Sequence, residues 1–259
     1  MLQRVEAVQF IRDEIGGRNR PVLAAAETSD GEVIELVLKF ASLCELQSKA
    51  LAVEVISACL AAALELPIPE PFIVDLSPEW RASLPGSVRA RVSEFDTVAF
   101  GSRFLCPQWS LWTTGRTLSP AMRQQGAEIL AFDAFTENCD RKDQNPNCLV
   151  SGDKVRIIDH ELCLPRGVIG AKPWETGGLQ PFTQPGQHIF RRELLAKKID
   201  HVSIREKWLS LQDEDIDAYG AAVPFEWYED AFISDILDKI RHVRDNIDGC
   251  MAELDRILQ

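Results

Sequence analysis

The chain contains no GxxxxGK[ST] run and no GxGxxG fingerprint, so any phosphate it holds is held without the commonest glycine loops. No CxxC pair occurs either. Its seven cysteines are scattered singly and odd in number, which fits buried free thiols in a reducing compartment better than disulfides or a zinc knuckle. His160 and Cys163, three apart, have the spacing of half a metal site, but no second pair follows, so a metal site is not expected there. Positive charge is short as well: 28 Lys and Arg stand against 40 Asp and Glu, a net charge of −12. Direct nucleic-acid binding and attraction to an anionic membrane are therefore not expected, although a local cleft for an anion is still open. The longest apolar run, Val55 to Leu64, is half a membrane span, and MLQRVEAVQF has no signal-peptide core. A soluble, cytoplasmic protein with no membrane partner is the expectation.

What is present is enough for a proper core, with 46% hydrophobic residues in 259, suited to one large domain or two lobes sharing an interface. The most informative stretch runs from Phe132 to Leu162. Asp140 stands five residues before Asn145, with Asn147 just beyond, then come a short apolar run, a polar turn, a second apolar run and Asp159. Cys148 to Val150 and Val155 to Ile158 read as two strands, and Ser151-Gly152-Asp153-Lys154 as the tight turn between them. If Val150 pairs with Val155, Asp159 falls opposite Pro146, between the two asparagines. Paired strands lie about 4.8 Å apart, so an Asn amide oxygen and the Asp159 carboxylate would meet at the open end of the hairpin. Mg²⁺ takes hard oxygen ligands and shares them with substrate phosphates. Asp140 would stand beside such a metal, placed to orient or deprotonate an attacking hydroxyl. Asp and Asn are also ordinary loop residues, and the five-residue spacing by itself is a weak motif.

Upstream, Val5 to Ile15 is strand-rich or mixed and is followed by Gly16, Gly17, Arg18, Asn19 and Arg20, a candidate phosphate loop on residue type and equally readable as a plain hairpin loop. Val22 to Glu27 and Glu32 to Phe40 are the next strands, joined through Asp30-Gly31. Lys39 lies between Leu38 and Phe40, where a lysine needs a partner. Ala50 to Leu64 reads as a helix apolar on nearly every face whose single charge is Glu54, and a lone buried carboxylate is costly unless paired. An ion pair of Lys39 with Glu54 resolves both anomalies, and a strand lysine with a helix glutamate is the arrangement that fixes ATP phosphates in kinases. Strands at Phe72 to Leu76 and Thr97 to Leu105 follow. Cys106-Pro107-Gln108 then reads as a hinge, and the helix Pro120 to Glu137 delivers the chain to Asp140. Leu164 to Gln187, rich in proline and glycine, is a long irregular loop. Arg191 to Asp200, Ile204 to Leu211 and Trp227 to Leu258 show helical spacing. Trp208, Phe225, Trp227, His188, His201 and His242 read as packing or surface residues.

Taken in order, Lys39, Glu54, DRxxxNPN from Asp140 to Asn147 and Ile158-Asp159-His160 resemble the HipA-like kinases, above all their short single-chain members. FGSRF at Phe100 to Phe104 and AVPFEW at Ala222 to Trp227 extend the likeness over most of the chain. The resemblance implies an α+β, two-lobed protein-kinase-like fold: an antiparallel-sheet N-lobe with one helix over residues 1–106 and a mainly helical C-lobe over 107–259. It also implies ATP and Mg²⁺ as cofactors. Lys39 would hold the α- and β-phosphates, Glu54 would orient Lys39, and Asp140 would be the base. Asn145 and Asp159 would bind Mg²⁺, with Asn147 the alternative ligand. Gly16, Gly17, Arg18 and Asn19 would face phosphates, and Leu105 and Cys106 the adenine.

The chain departs from the family pattern at Val53, at the charged GGRNR loop and at Glu161, positions that bear on ATP affinity more than on fold. A phosphotransferase acting on protein Ser or Thr, with a protein substrate and in some settings a protein regulator such as an antitoxin, is the first reading. A pseudokinase-like interaction module and a small-molecule kinase are the alternatives.

Overall fold

In the computed structural model, described over residues 2–13, 19–105, 108–167 and 170–259, the first part of the chain is a small barrel and the rest is largely helical. Strands β1 (Gln3–Asp13), β2 (Val22–Glu27) and β3 (Val33–Lys39) form an antiparallel meander. Helix α1 (Ser48–Ala63) intervenes before β4 (Pro71–Asp75), the short helices α2 (Pro78–Ser83) and α3 (Gly86–Arg89), and β5 (Val98–Arg103). The sheet order β1-β2-β3-β5-β4 closes on itself because β1 also pairs with β4. That last pairing is parallel, unlike the others, so the expected antiparallel sheet is a mixed barrel. Two irregularities in β1, at Ala7/Gln9 and Phe10/Arg12, supply the bend that closure needs. Gly101 serves the same end: a Cβ there would lie 2.7 Å from Val74 Cγ2 and 3.1 Å from Leu36 Cδ1, inside the barrel.

Alternation along β3 decides where Lys39 goes. Ile34, Leu36 and Leu38 point into the barrel core with Phe72, Val74 and Trp80, so Val37 and Lys39 fall on the outer face, where both line a cleft. Helix α1 packs outside the barrel and is buried from Ala50 to Ala58. Its apolar faces join the larger core of the helical part, along with Phe100, Phe132 and Trp208.

The cleft's other wall begins with β6 (Ser110–Leu111) and α4 (Arg123–Phe135). Helix α4 ends in a left-handed turn at Glu137, φ 56°, closed by bonds from Asn138 N to Asp133 O at 2.7 Å and from Glu137 N to Ala134 O at 3.3 Å. Strands β7 (Cys148–Ser151) and β8 (Lys154–Ile157) form the expected hairpin with Val150 opposite Val155, and β6, too short to be legible in sequence, adds a third strand beside β7. Helices α5 (Arg191–Leu194), α6 (His201–Leu209), α7 (Asp213–Ala221), α8 (Asp230–Asp245) and α9 (Ile247–Leu258) complete the chain. The expected helix from Trp227 to Leu258 is divided at Asn246 between α8 and α9. The irregular 164–187 segment is tied to α9: Glu253 accepts from Gly177 N at 3.0 Å, and Gly249 lets the backbone of Trp174 approach.

Candidate active site

Lys39 Nζ donates to Glu54 Oε2 at 2.8 Å and to Asp159 Oδ1 at 2.7 Å, and Glu161 Oε2 lies 3.7 Å away. Strand β3, helix α1 and the turn after β8 thus meet at one ammonium group. Burial alone would lower the Lys39 pKa, but these carboxylates outweigh it and hold the pKa well above the ordinary value. Glu54 is 3% exposed and also accepts from the backbone N–H of His160 at 2.9 Å. Burial would raise its pKa; Lys39 and His160 reverse that and lower it.

Asp140 lies in the loop after α4. Its Oδ2 accepts from Asn145 Nδ2 at 2.7 Å and from Asn147 Nδ2 at 3.0 Å, while Oδ1 is 3.9 Å from Lys142 Nζ. Each asparagine spends its amide nitrogen on Asp140 and keeps its Oδ1 for another partner. Burial first, and then the neighbouring Asp159 charge, push the Asp140 pKa up against these donations. The hairpin ladder runs as far as the bond from Ile158 N to Asn147 O, 3.0 Å. Asn147 at φ 41° and Asp159 at φ 64° then turn out of the strands. Asp159 therefore leaves the ladder one step before the expected position opposite Pro146, and its carboxylate reaches Lys39.

A fully buried frame sits behind these residues. Arg141, 0% exposed, donates through Nε to Asp133 Oδ2 at 2.7 Å and through Nη1 to the carbonyls of Asn147 and, at 3.1 Å, Ile158. One guanidinium thereby holds the backbone at Asn147 and just ahead of Asp159. Asp133 also accepts from Asn138 Nδ2 at 2.7 Å and from His188 Nε2 at 3.0 Å. His188 Nδ1 accepts from Phe190 N, so Nε2 carries the proton of a neutral ring, and burial lowers the His188 pKa. Asp133 and His188 were not expected at the site, and Arg141 entered only as a residue of the DRxxxNPN motif, without a role. A signal for Asp133 does exist, since it is a lone carboxylate in the apolar run Ile129 to Phe135, just as Glu54 is in α1.

A cavity of about 400 Å³ opens in front of Lys39. Val37, Phe104 and Leu105 line it from the barrel side, and Leu149, Ile157 and Asn145 from the hairpin side. Its volume falls in the range of small-molecule sites, with apolar walls and a few polar groups at one end. A larger hollow of about 680 Å³, beside Arg81, Leu84 and Phe95, contains none of the candidate residues. Of the candidate phosphate loop, Asn19 is buried and donates to Glu161 Oε2 at 2.6 Å. Gly16, Gly17, Arg18 and Cys106 lie outside the described residues.

A barrel and a helical part with a lysine, a glutamate and an Asp-Asn-Asp set between them define a protein-kinase-like fold, and a solved kinase structure agrees. A proinflammatory kinase of Helicobacter pylori, CtkA, aligns over 99% of both chains with a TM-score of 0.59 at 10% identity. The Golgi casein kinase with Mn/ADP bound aligns over 96% of this chain and 73% of its own at TM-score 0.47 and 9% identity, a likeness too low to weigh in the fold. Residues 17–255 match the model of the HipA-like kinases, and the chain belongs to that family. No curated protein matches it in sequence.

Proposed function

We propose that this kinase-family protein is an active ATP- and Mg²⁺-dependent phosphotransferase acting on Ser or Thr hydroxyls of a protein. The observation that carries the reading is the ammonium of Lys39, bonded to Glu54 and Asp159 from two other elements, 15 and 120 positions away in the chain. In this reading Lys39 holds the α- and β-phosphates, Glu54 fixes Lys39, and adenine lies among Val37, Leu105, Leu149 and Ile157. The oxygen donors present suit Mg²⁺. Asp159, with Oδ1 of Asn145 or of Asn147, would hold the ion, which when bound neutralises phosphate charge. Both asparagines line the cavity, but Asn145 is half-buried and Asn147 only 7% exposed, which favours Asn145 as the more accessible ligand.

Asp140 takes the hydroxyl proton. With Oδ2 occupied by two amides, Oδ1 is the oxygen left to accept it, and the upward pKa shift makes it a better base. The acceptor oxygen then bonds to the γ-phosphorus as the bond to the ADP leaving oxygen breaks, a step governed by positioning and charge. Among the described residues no helix is long and apolar enough to cross a membrane. The acidic balance suits a protein substrate better than a lipid or nucleic-acid one. The test is transfer of label from γ-labelled ATP with Mg²⁺ and cell lysate. Wild type is expected to label a protein, and Asp140→Ala to label none; equal labelling by the two would refute the reading.

One observation favours a nucleotide-free interaction module as the second reading: Lys39 is already bonded within the chain. A melting temperature unmoved by millimolar ATP and Mg²⁺ would support it, because a ligand that binds only the native state raises the melting temperature.

A further inference from the structure

Lys39 has three N–H donors. Two go to Glu54 and Asp159, and the third side faces Glu161 at 3.7 Å. The third donor makes no hydrogen bond to Glu161, but a phosphate that takes it must enter beside that carboxylate. Asn19, described together with Arg20 from the candidate phosphate loop, is also committed to Glu161, at 2.6 Å. Glu161 is 12% exposed and has the Cys44 thiol at 3.6 Å as a further donor. Its carboxylate thus sits on the two side chains that a nucleotide phosphate would use. Glu54 is held in addition by His160, and Asp159 is the proposed metal ligand. Glu161, with the longest contact to Lys39, is the carboxylate that Lys39 releases most readily.

We propose that Glu161 is an internal competitor for the phosphate-binding side chains, released when nucleotide binds, and that it makes the site select metal-complexed nucleotide over the free polyanion. The proposal rests on the nucleotide reading of this site. Carboxylate oxygens of Glu54, Asp159 and Glu161 lie within 4.8 Å of one another around a single lysine. An uncomplexed triphosphate entering there meets like charge at short range, and a divalent ion removes much of that repulsion. Glutamine at this position keeps the shape, can still bond to Asn19, and loses both the grip on Lys39 and the repulsion.

The experiment is calorimetric titration of ATP into wild type, Glu161→Gln and Glu161→Ala, each with Mg²⁺ and with EDTA, after melting curves confirm that the variants fold. Both variants are expected to bind ATP about tenfold more tightly in EDTA, and less strongly improved with Mg²⁺, so that the ratio of the two affinities shrinks. Unchanged ratios, or weaker binding by both variants, would overturn the competitor role and leave the nucleotide site standing. No binding of ATP with Mg²⁺ by any of the three proteins would remove the nucleotide reading and this proposal together.

Discussion

Two ionic clusters lie a few residues apart, and they are built for different purposes. Around Asp133 the charges balance: Arg141 answers the carboxylate, His188 is neutral, and side chains at 0% exposure are fully paired. Around Lys39 they do not balance, since Glu54, Asp159 and Glu161 face one lysine and Asp140 stands close by. A buried, balanced network fixes backbone, here the carbonyls of Asn147 and Ile158. A half-open, unbalanced one is short of positive charge and lowers its energy by gaining a cation. The first cluster holds the second in place.

Breaking the frame should have the largest effect. Arg141→Leu leaves Asp133 charged in the interior without its counter-charge, and a loss of about 3–5 kcal/mol in urea unfolding is expected. Next comes Asp140→Asn, expected to lower phosphoryl transfer about 10²- to 10⁴-fold. Its melting temperature at pH 7 should hold or rise. The Asp140 pKa is raised in the folded protein, so its ionisation weakens folding as pH climbs above the ordinary carboxylate range, and the amide removes that penalty.

Acid should act on the frame in the opposite direction. Despite burial, Arg141 and His188 bring the Asp133 pKa down from 3.8 to about 2. The stability this lends is complete above the ordinary value and is lost as pH falls from 3.8 toward 2. Unfolding measured across that window should show a decline of about 2 kcal/mol, flattened in Asp133→Asn. The smallest effect belongs to a surface pair: Asp75→Asn, which breaks the exposed bidentate bond to Arg4, should change stability by less than about 1 kcal/mol.

The same contrast explains what could be read from the sequence. Lys39 and Glu54 were legible because each is a charge in an apolar context, and the hairpin because its turn and its alternation fix Val150 opposite Val155. Asp133 obeys the logic that exposed Glu54, but the nearby Asp140 and Asn145 draw attention away from it. Arg141 and His188 lie 8 and 55 positions from Asp133 and carry no local sign of being partners. Helix α7, DEDIDAYGA, has too few apolar residues to show a helical stripe and was missed; it is held by packing of Ile216, Tyr219 and Gly220 against α1 and α8. The parallel closure of β1 on β4 was not legible either, since it depends on irregularities in β1 that leave no mark in residue type.

As proposed above, the unbalanced cluster is a metal-dependent nucleotide site held by the balanced one. Calorimetric titration of ATP into wild type and Asp159→Asn, with and without Mg²⁺, tests it most directly. Wild type should bind ATP more tightly with Mg²⁺ than without, and Asp159→Asn should fold and lose that metal dependence. Equal affinity with and without the ion in wild type, or an unchanged metal dependence in Asp159→Asn, would contradict the claim.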